Sequence, residues 1–210
     1  MKPEKLVKIN YKDYNESVDN SELQKNLIEF NSIFLENYKD SKEIPNLWPG
    51  NCFGCSPRNK YGLQMKINLT KEGCFSYISI SDRFCGFEGL VHGGIIATLL
   101  DEIAGWTMIA HLSKLGVTQQ ANINYHKPVA TNTPVIVEGR VIKYEENKAV
   151  VNSFVKDIKG NTLAESKSTW IMPDFQNLAK ITGKNSDIIK EMFEQMLIPI
   201  KRIRKEGFLK

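Results

Sequence analysis

No stretch of this chain is both long enough and free enough of charge to face lipid. The longest apolar run, 93–112, carries Asp101 and Glu102 near its middle, and two carboxylates there cost too much in hydrocarbon. That run reads as the core helix of a soluble domain. The opening Met1-Lys2-Pro3-Glu4-Lys5-Leu6-Val7-Lys8 has charge but no apolar stretch behind it, so no secretory leader is expected. Cysteine is scarce: four residues without a leader suit reduced thiols in a cytoplasmic location, not a disulfide framework. An excess of one charge sign is also missing from the body. The net charge of +4 is carried by the last ten residues, where Lys201, Arg202, Arg204, Lys205 and Lys210 face only Glu206. A neutral body argues against nucleic acid as a partner. Repeats and low-complexity segments are absent too. With 41% apolar and 25% charged residues, collagen-like, mucin-like and disordered classes are excluded.

What is present divides into three zones: a helical arm over 1–44, a main domain over 45–173 and a second helical arm with its basic tail over 174–210. In the first arm Leu23, Leu27, Phe30 and Phe34 recur at helical spacing, and Ser21 with Gln24 forms a capping box. In the last arm Ile188, Ile189, Met192, Phe193, Met196 and Leu197 line one side of a helix. Ser186 is its expected N-cap, and Pro199 is expected to end or kink it. The middle zone reads as strands at 61–70, 73–81, 118–127, 134–144, 149–158 and 162–172, with short polar turns between most of them. Along the last of these, Ala164, Ser166 and Ser168 alternate with Glu165, Lys167 and Thr169. Such a face of small residues lets a sheet wrap closely around something thick. The candidate is helix 93–112, apolar almost all round. The expected class is α+β: an antiparallel sheet around one long central helix, with extra terminal helices.

The chemistry concentrates at Gly89-Leu90-Val91-His92-Gly93-Gly94 and the helix that follows. His-Gly-Gly opening a helix puts bare N–H groups at the positive end of its dipole, where glycine lets a substrate oxygen approach. On the helix, Gly94, Thr98, Asp101 and Gly105 share one face, a polar and small-residue stripe on an apolar rod. Two readings stand on the residues alone. Asp101 is either an exposed or paired helix-edge charge beside a tight glycine turn, or a carboxylate kept for chemistry.

This stretch resembles the signature of hotdog-fold thioesterases, of the phenylacetate-degradation-type branch that includes mitochondrial-type acyl-CoA thioesterases. Val91-His92-Gly93-Gly94 is followed nine positions after the histidine by Asp101. The block Thr118-Gln119-Gln120-Ala121-Asn122-Ile123-Asn124-Tyr125-His126-Lys127-Pro128 is similar to the strand after that family's central helix. Asn51-Cys52-Phe53-Gly54-Cys55-Ser56-Pro57-Arg58-Asn59 with Gly62-Leu63 resembles the leader of a bacterial subgroup. The resemblance covers about 50–172 and implies a hotdog fold that hydrolyses acyl-CoA. It implies a homodimer or dimer of dimers, with each site between two chains, and no cofactor. The Gly93 N–H would hold the thioester oxygen, Asp101 would serve as general base or nucleophile, Thr118 would orient water and His92 the loop. Gly94, Thr98, Asn122, Asn124 and Lys127 would line the substrate. Lys127, with Arg140 and Lys143 on the next strand, would serve the CoA phosphates.

One departure from that pattern is visible. Where many relatives carry Asn or Gln, six or seven residues before the histidine, this chain has Gly86 and Cys85. The oxyanion hole would then rest on backbone alone, and a non-catalytic acyl-CoA-binding or regulatory role stands as the alternative. A hotdog dehydratase or hydratase is a weaker one, since its His–acid pair has no match here. Glu88 reads as surface, and Glu102, about 100° around the helix from Asp101, as a structural or interface charge. Cys52-Phe53-Gly54-Cys55 has zinc-knuckle spacing, and Cys74 and Cys85 would have to complete a four-sulfur site. That second pair has ten residues between its members and lies in or after a strand, unlike a knuckle. Buried thiols and no metal are therefore expected.

Overall fold

The structure, a computed structural model, describes residues 38 and 40–208. The helix expected around Leu23 to Phe34 lies outside the described residues. In chain order the elements are β1 (Lys42–Glu43), β2 (Asn68–Leu69), β3 (Cys74–Ser79), β4 (Cys85–Phe87), β5 (Leu90–Val91), α1 (Gly93–Leu112), β6 (Val117–Tyr125), β7 (Pro134–Glu145), β8 (Lys148–Lys156), β9 (Thr162–Ile171), α2 (Phe175–Thr182) and α3 (Ser186–Ile203). Seven strands form one antiparallel sheet in the order β1-β2-β3-β7-β8-β9-β6, while β4 and β5 make a separate small hairpin. Strand β6 pairs with β9 on one side and occupies the end of the sheet.

Helix α1 has the limits expected of it, and its two ends are specified locally. His92 caps the start, with its Nδ1 accepting from the Gly94 N–H at 2.9 Å. Ser113 closes the other end in the left-handed conformation, its N–H bonding back to the Ile109 carbonyl. The helix lies on the sheet through Ile96, Leu99, Leu100, Ile103, Ala104 and Met108, all at most 4% exposed. Burying each of the larger ones is worth about 1.5–3 kcal/mol.

Close approach is made possible by small residues beneath the rod. Ala149, Ser153, Ala164, Ser166 and Ser168 are buried, in the alternation expected for a wrapping sheet. Gly139 on β7 is the tightest point: a Cβ there would sit 2.4 Å from Thr107 Oγ1 and 2.9 Å from the Ile103 carbonyl oxygen. The opposite side of α1 is open, and Gly94, Thr98, Asp101 and Gly105 run along it, exposed or half-buried.

Four local expectations are corrected. The strand expected over 61–70 reduces to Asn68–Leu69. Its earlier part bonds to a neighbouring loop instead: the Leu63 and Met65 N–H groups donate to the Phe53 and Gly54 carbonyls, and Gln64 takes φ 51°. Met65 and Ile67 are buried nonetheless, which is why the segment reads as an alternating strand. In the last arm Asn185, not Ser186, caps the helix, because its side-chain oxygen accepts from both the Asp187 and Ile188 N–H groups. Pro199 does not end α3. Ile200 and Ile203 beyond it are buried with Phe193, Met196 and Leu197 in the main core, and this packing holds the last turn despite a missing N–H. Ile188, expected on the apolar side, is 53% exposed.

Candidate active site

The N-terminus of α1 is held by three separate contacts. His92 takes the Gly94 N–H, Tyr125 on β6 donates its hydroxyl to the Gly93 carbonyl at 3.1 Å, and Thr98 donates to the Gly94 carbonyl at 2.9 Å. Ile95 and Ile96 N–H groups return to the His92 carbonyl. Among the described residues the Gly93 N–H finds no acceptor. Gly93 has no left-handed backbone, and a Cβ there would meet only the Tyr125 ring at 3.8 Å. Neither backbone strain nor local crowding requires glycine. A cavity of about 290 Å³ opens beside it, between Leu90, Val91, Ile96, Tyr125, Lys127 and Val129.

Asp101 lies eight residues further along the helix, about 12 Å away at helical rise and about 80° around the axis, and is exposed. Its Oδ1 accepts a 2.6 Å hydrogen bond from the Thr118 hydroxyl. Thr118 sits where the register of β6 against β9 shifts, between Thr118 and Gln120, and this irregularity belongs to the strand end facing the helix. Asp101 is exposed and makes no ion pair among the described residues. Beside it a second cavity, about 230 Å³, is walled by Trp48, Trp106, Ile109, Leu115, Trp170 and Met196.

The other expected residues are only partly gathered. Asn122 and Asn124 lie exposed on edge strand β6, paired in register with Lys167 and Glu165, and touch neither cavity. Lys127 does line the cavity beside Gly93. Arg140 and Lys143 do not join it. They stand on β7, separated from β6 by β8 and β9, and pair with Glu72 and Glu145. Their place on the next strand in the chain suggests closeness, but the chain order β6–β7 is not a sheet neighbourhood.

Gly86 explains the departure before the histidine. A Cβ there would approach His92 Cα to 2.9 Å, so the β4–β5 hairpin is seated against the helix cap and admits no side chain. Cys85 on the same hairpin is exposed.

The unexpected group is Glu102. Its side chain turns inward into the second cavity and meets Cys52 and Cys55, with the two sulfurs and a carboxylate oxygen all within 4.8 Å of one another. Trp106 Nε1 donates to one carboxylate oxygen and the Cys52 thiol to the other, each at 3.2 Å. Burial pushes the Glu102 carboxyl up to about 8. The adjacent Cys55 thiol, with the Cys55 and Gly54 N–H groups, holds the Cys52 thiol down at about 5, while Cys55 itself is raised by its partner and by burial. Cys74 stays apart, buried against the Trp106 carbonyl, and burial lifts it to about 12.

An antiparallel sheet wrapped on one long helix, with paired glycines at the helix start and an exposed carboxylate further along it, defines a hotdog-fold protein of the thioesterase type. Comparison agrees. Residues 88–164 match the model of the Thioesterase superfamily. The chain is 30% identical over 105 residues to the "Putative esterase" of Saccharolobus solfataricus, covering 50% of this chain and 74% of that one. It is 36% identical over 78 residues to acyl-coenzyme A thioesterase THEM4 of Rattus norvegicus, covering 37% of this chain and 33% of the relative. A Streptococcus mutans UA159 structure bound to acetyl CoA shares the fold, at 22% identity and a TM-score of 0.51, over 57% of this chain and 97% of that one. This chain belongs to the thioesterase superfamily. It spans about a third of the length of the THEM4 relatives it matches.

Proposed function

We propose that the chain hydrolyses acyl-CoA thioesters to free acid and CoA. The observation that carries this is the combination, on α1, of a Gly93 N–H and an exposed Asp101 carboxylate, the first with no acceptor and the second with no ion pair among the described residues. The Gly93 N–H, at the positive end of the helix, stabilises the oxyanion as the thioester carbonyl is attacked. One such donor is worth roughly 10²–10³ in rate. Asp101 takes the proton from water, or attacks the carbonyl itself, and Thr118 fixes the rotamer of that carboxylate and orients the attacking water. His92 acts by holding the cap. Lys127 beside the Gly93 cavity suits a CoA phosphate, and the aromatic-walled cavity next to Asp101 suits the acyl group. The relatives named as acyl-coenzyme A thioesterases and the fold neighbour bound to acetyl CoA support CoA as the carrier.

One carbonyl cannot touch both groups in a single chain, since about 12 Å separates them along the helix. Two copies are therefore needed, with Gly93 from one chain meeting Asp101 of the other. The nine-residue edge strand β6, exposed along nearly its whole length, offers the pairing surface.

Release of free thiol from a panel of acyl-CoAs tests the reading. Asp101→Asn, which keeps a group able to accept from Thr118, should lower turnover by about 100-fold or more while CoA binding persists. Turnover near wild type would remove Asp101 from the chemistry. The absence of a side chain at Gly86 favours a second reading, a non-catalytic acyl-CoA-binding protein. It predicts ligand-induced thermal stabilisation with no thiol release by the wild type.

A further inference from the structure

The loop 50–57 is built around its two cysteines more firmly than a surface loop needs. Asn46 donates to the Cys55 carbonyl at 2.9 Å, the Ser56 N–H returns to the Cys52 carbonyl, and Leu63 and Met65 tie Phe53 and Gly54 in place. The N–H groups of Gly54 and Cys55 turn toward the Cys52 sulfur. A carbon at Gly54 would lie 2.5 Å from Glu102 Oε2, so this glycine lets the loop rest directly on the carboxylate. Three donor atoms converge: two sulfurs and one oxygen, drawn from a loop and from the central helix. In a tetrahedral zinc site, Zn–S of about 2.3 Å and Zn–O of about 2.0 Å put neighbouring donor atoms roughly 3.5–3.8 Å apart. The Cys52 sulfur and Glu102 oxygen are 3.2 Å apart, and the whole trio spans at most 4.8 Å, so shifts of about an ångström or less bring them to that spacing. Trp106 Nε1–H orients the carboxylate from outside, as ligand-holding groups do. No Lys or Arg among the described residues pairs with Glu102, so its two oxygens are left to the Trp106 indole and the Cys52 sulfur.

We propose that Cys52, Cys55 and Glu102 bind one zinc ion, with water in the fourth position facing the cavity beside Asp101. The two thiols lose their protons to solvent and bind as thiolates, and Glu102 binds as carboxylate. Softness favours this metal: two sulfurs with one oxygen suit zinc over calcium or magnesium, which take oxygen donors. The ion ties loop 50–57 to α1 and closes one wall of the cavity. The site involves neither Gly93 nor Lys127, and its existence does not depend on the thioesterase reading.

The test uses the full chain, reduced, stripped of metal and titrated with zinc against a chromophoric chelator. One equivalent per chain should bind, at about 1 µM or tighter. Cobalt in place of zinc should give a thiolate-to-metal charge-transfer band. Cys52→Ser and Cys55→Ser should each abolish that band, Glu102→Gln should weaken zinc binding at least about tenfold, and Cys85→Ser, altering an exposed thiol elsewhere, should change nothing. Zinc should also raise the melting temperature of the wild type and of Cys85→Ser, but not of Cys52→Ser. Failure of the reduced wild type to take up zinc overturns the proposal whether or not any variant folds, as does a band that survives Cys52→Ser with Cys55→Ser.

Discussion

Gly93 is a glycine in a position where alanine would serve the helix better. Its backbone is ordinary, the space around a Cβ is adequate, and alanine at the start of a helix costs less conformational entropy. What a methyl group would obstruct is the approach of a ligand to the free N–H. Gly93→Ala should therefore fold with an unchanged or slightly higher melting temperature, yet hydrolyse at least about tenfold more slowly, near 1.4 kcal/mol of barrier. Full activity in the folded variant would remove the backbone oxyanion hole. Asp101 and Thr118 stand seventeen positions apart, and only the fold brings them into hydrogen-bond contact. Tyr125, inside a motif block but without an assigned role, proves to hold the Gly93 carbonyl. It is the last residue of β6, and no spacing rule within a strand reports which helix end its final side chain will reach.

At the scale of elements, the seat of α1 on β7 depends on Gly139. A Cβ at this position would press on helix backbone as well as on Thr107, and the Ile103 carbonyl cannot swing away as a side-chain tip can. Gly139→Ala should cost about 1–3 kcal/mol, the usual penalty of overpacking, read as a lower urea midpoint at unchanged slope. An unchanged midpoint would mean that helix and sheet part freely. The strands are legible where apolar alternation coincides with polar turns, as in β7 to β9. The segment 61–67 misleads because its buried residues alternate while Leu63 and Met65 bond to a loop and not to a strand, and alternation reports burial, not the bonding partner. Helix α3 passes Pro199 for the related reason that core contacts outweigh one lost N–H.

For the whole molecule, the separation of Gly93 and Asp101 turns the proposed chemistry into a statement about assembly. If each site takes Gly93 from one chain and Asp101 from its partner, mixing the two impaired variants should restore function. A heterodimer of Gly93→Ala with Asp101→Asn has one site carrying both changes and one carrying neither. Co-expressed variants should recover a substantial fraction of wild-type thiol release, up to half per heterodimer. No recovery in verified heterodimers would place both groups of a site in one chain.

The class of fold, the limits of the central helix and the polar stripe on it are all written in the order of residues. They rest on periodicity and capping, which are local and act between residues a turn or two apart. Gly93, Asp101 and Thr118 stand out there as well, through a family resemblance and not through contact. Which charges share a cavity is a matter of packing in three dimensions. Sheet order set Lys127 beside Gly93 and sent Arg140 and Lys143 three strands away. Likewise the spacing of the cysteines sets Cys52 and Cys55 against Cys74 and Cys85, whereas the third donor is Glu102, fifty residues beyond Cys52 on the central helix. Ligand sets and cavities are made by segments that meet through packing, and no spacing within one segment records which other segment will arrive.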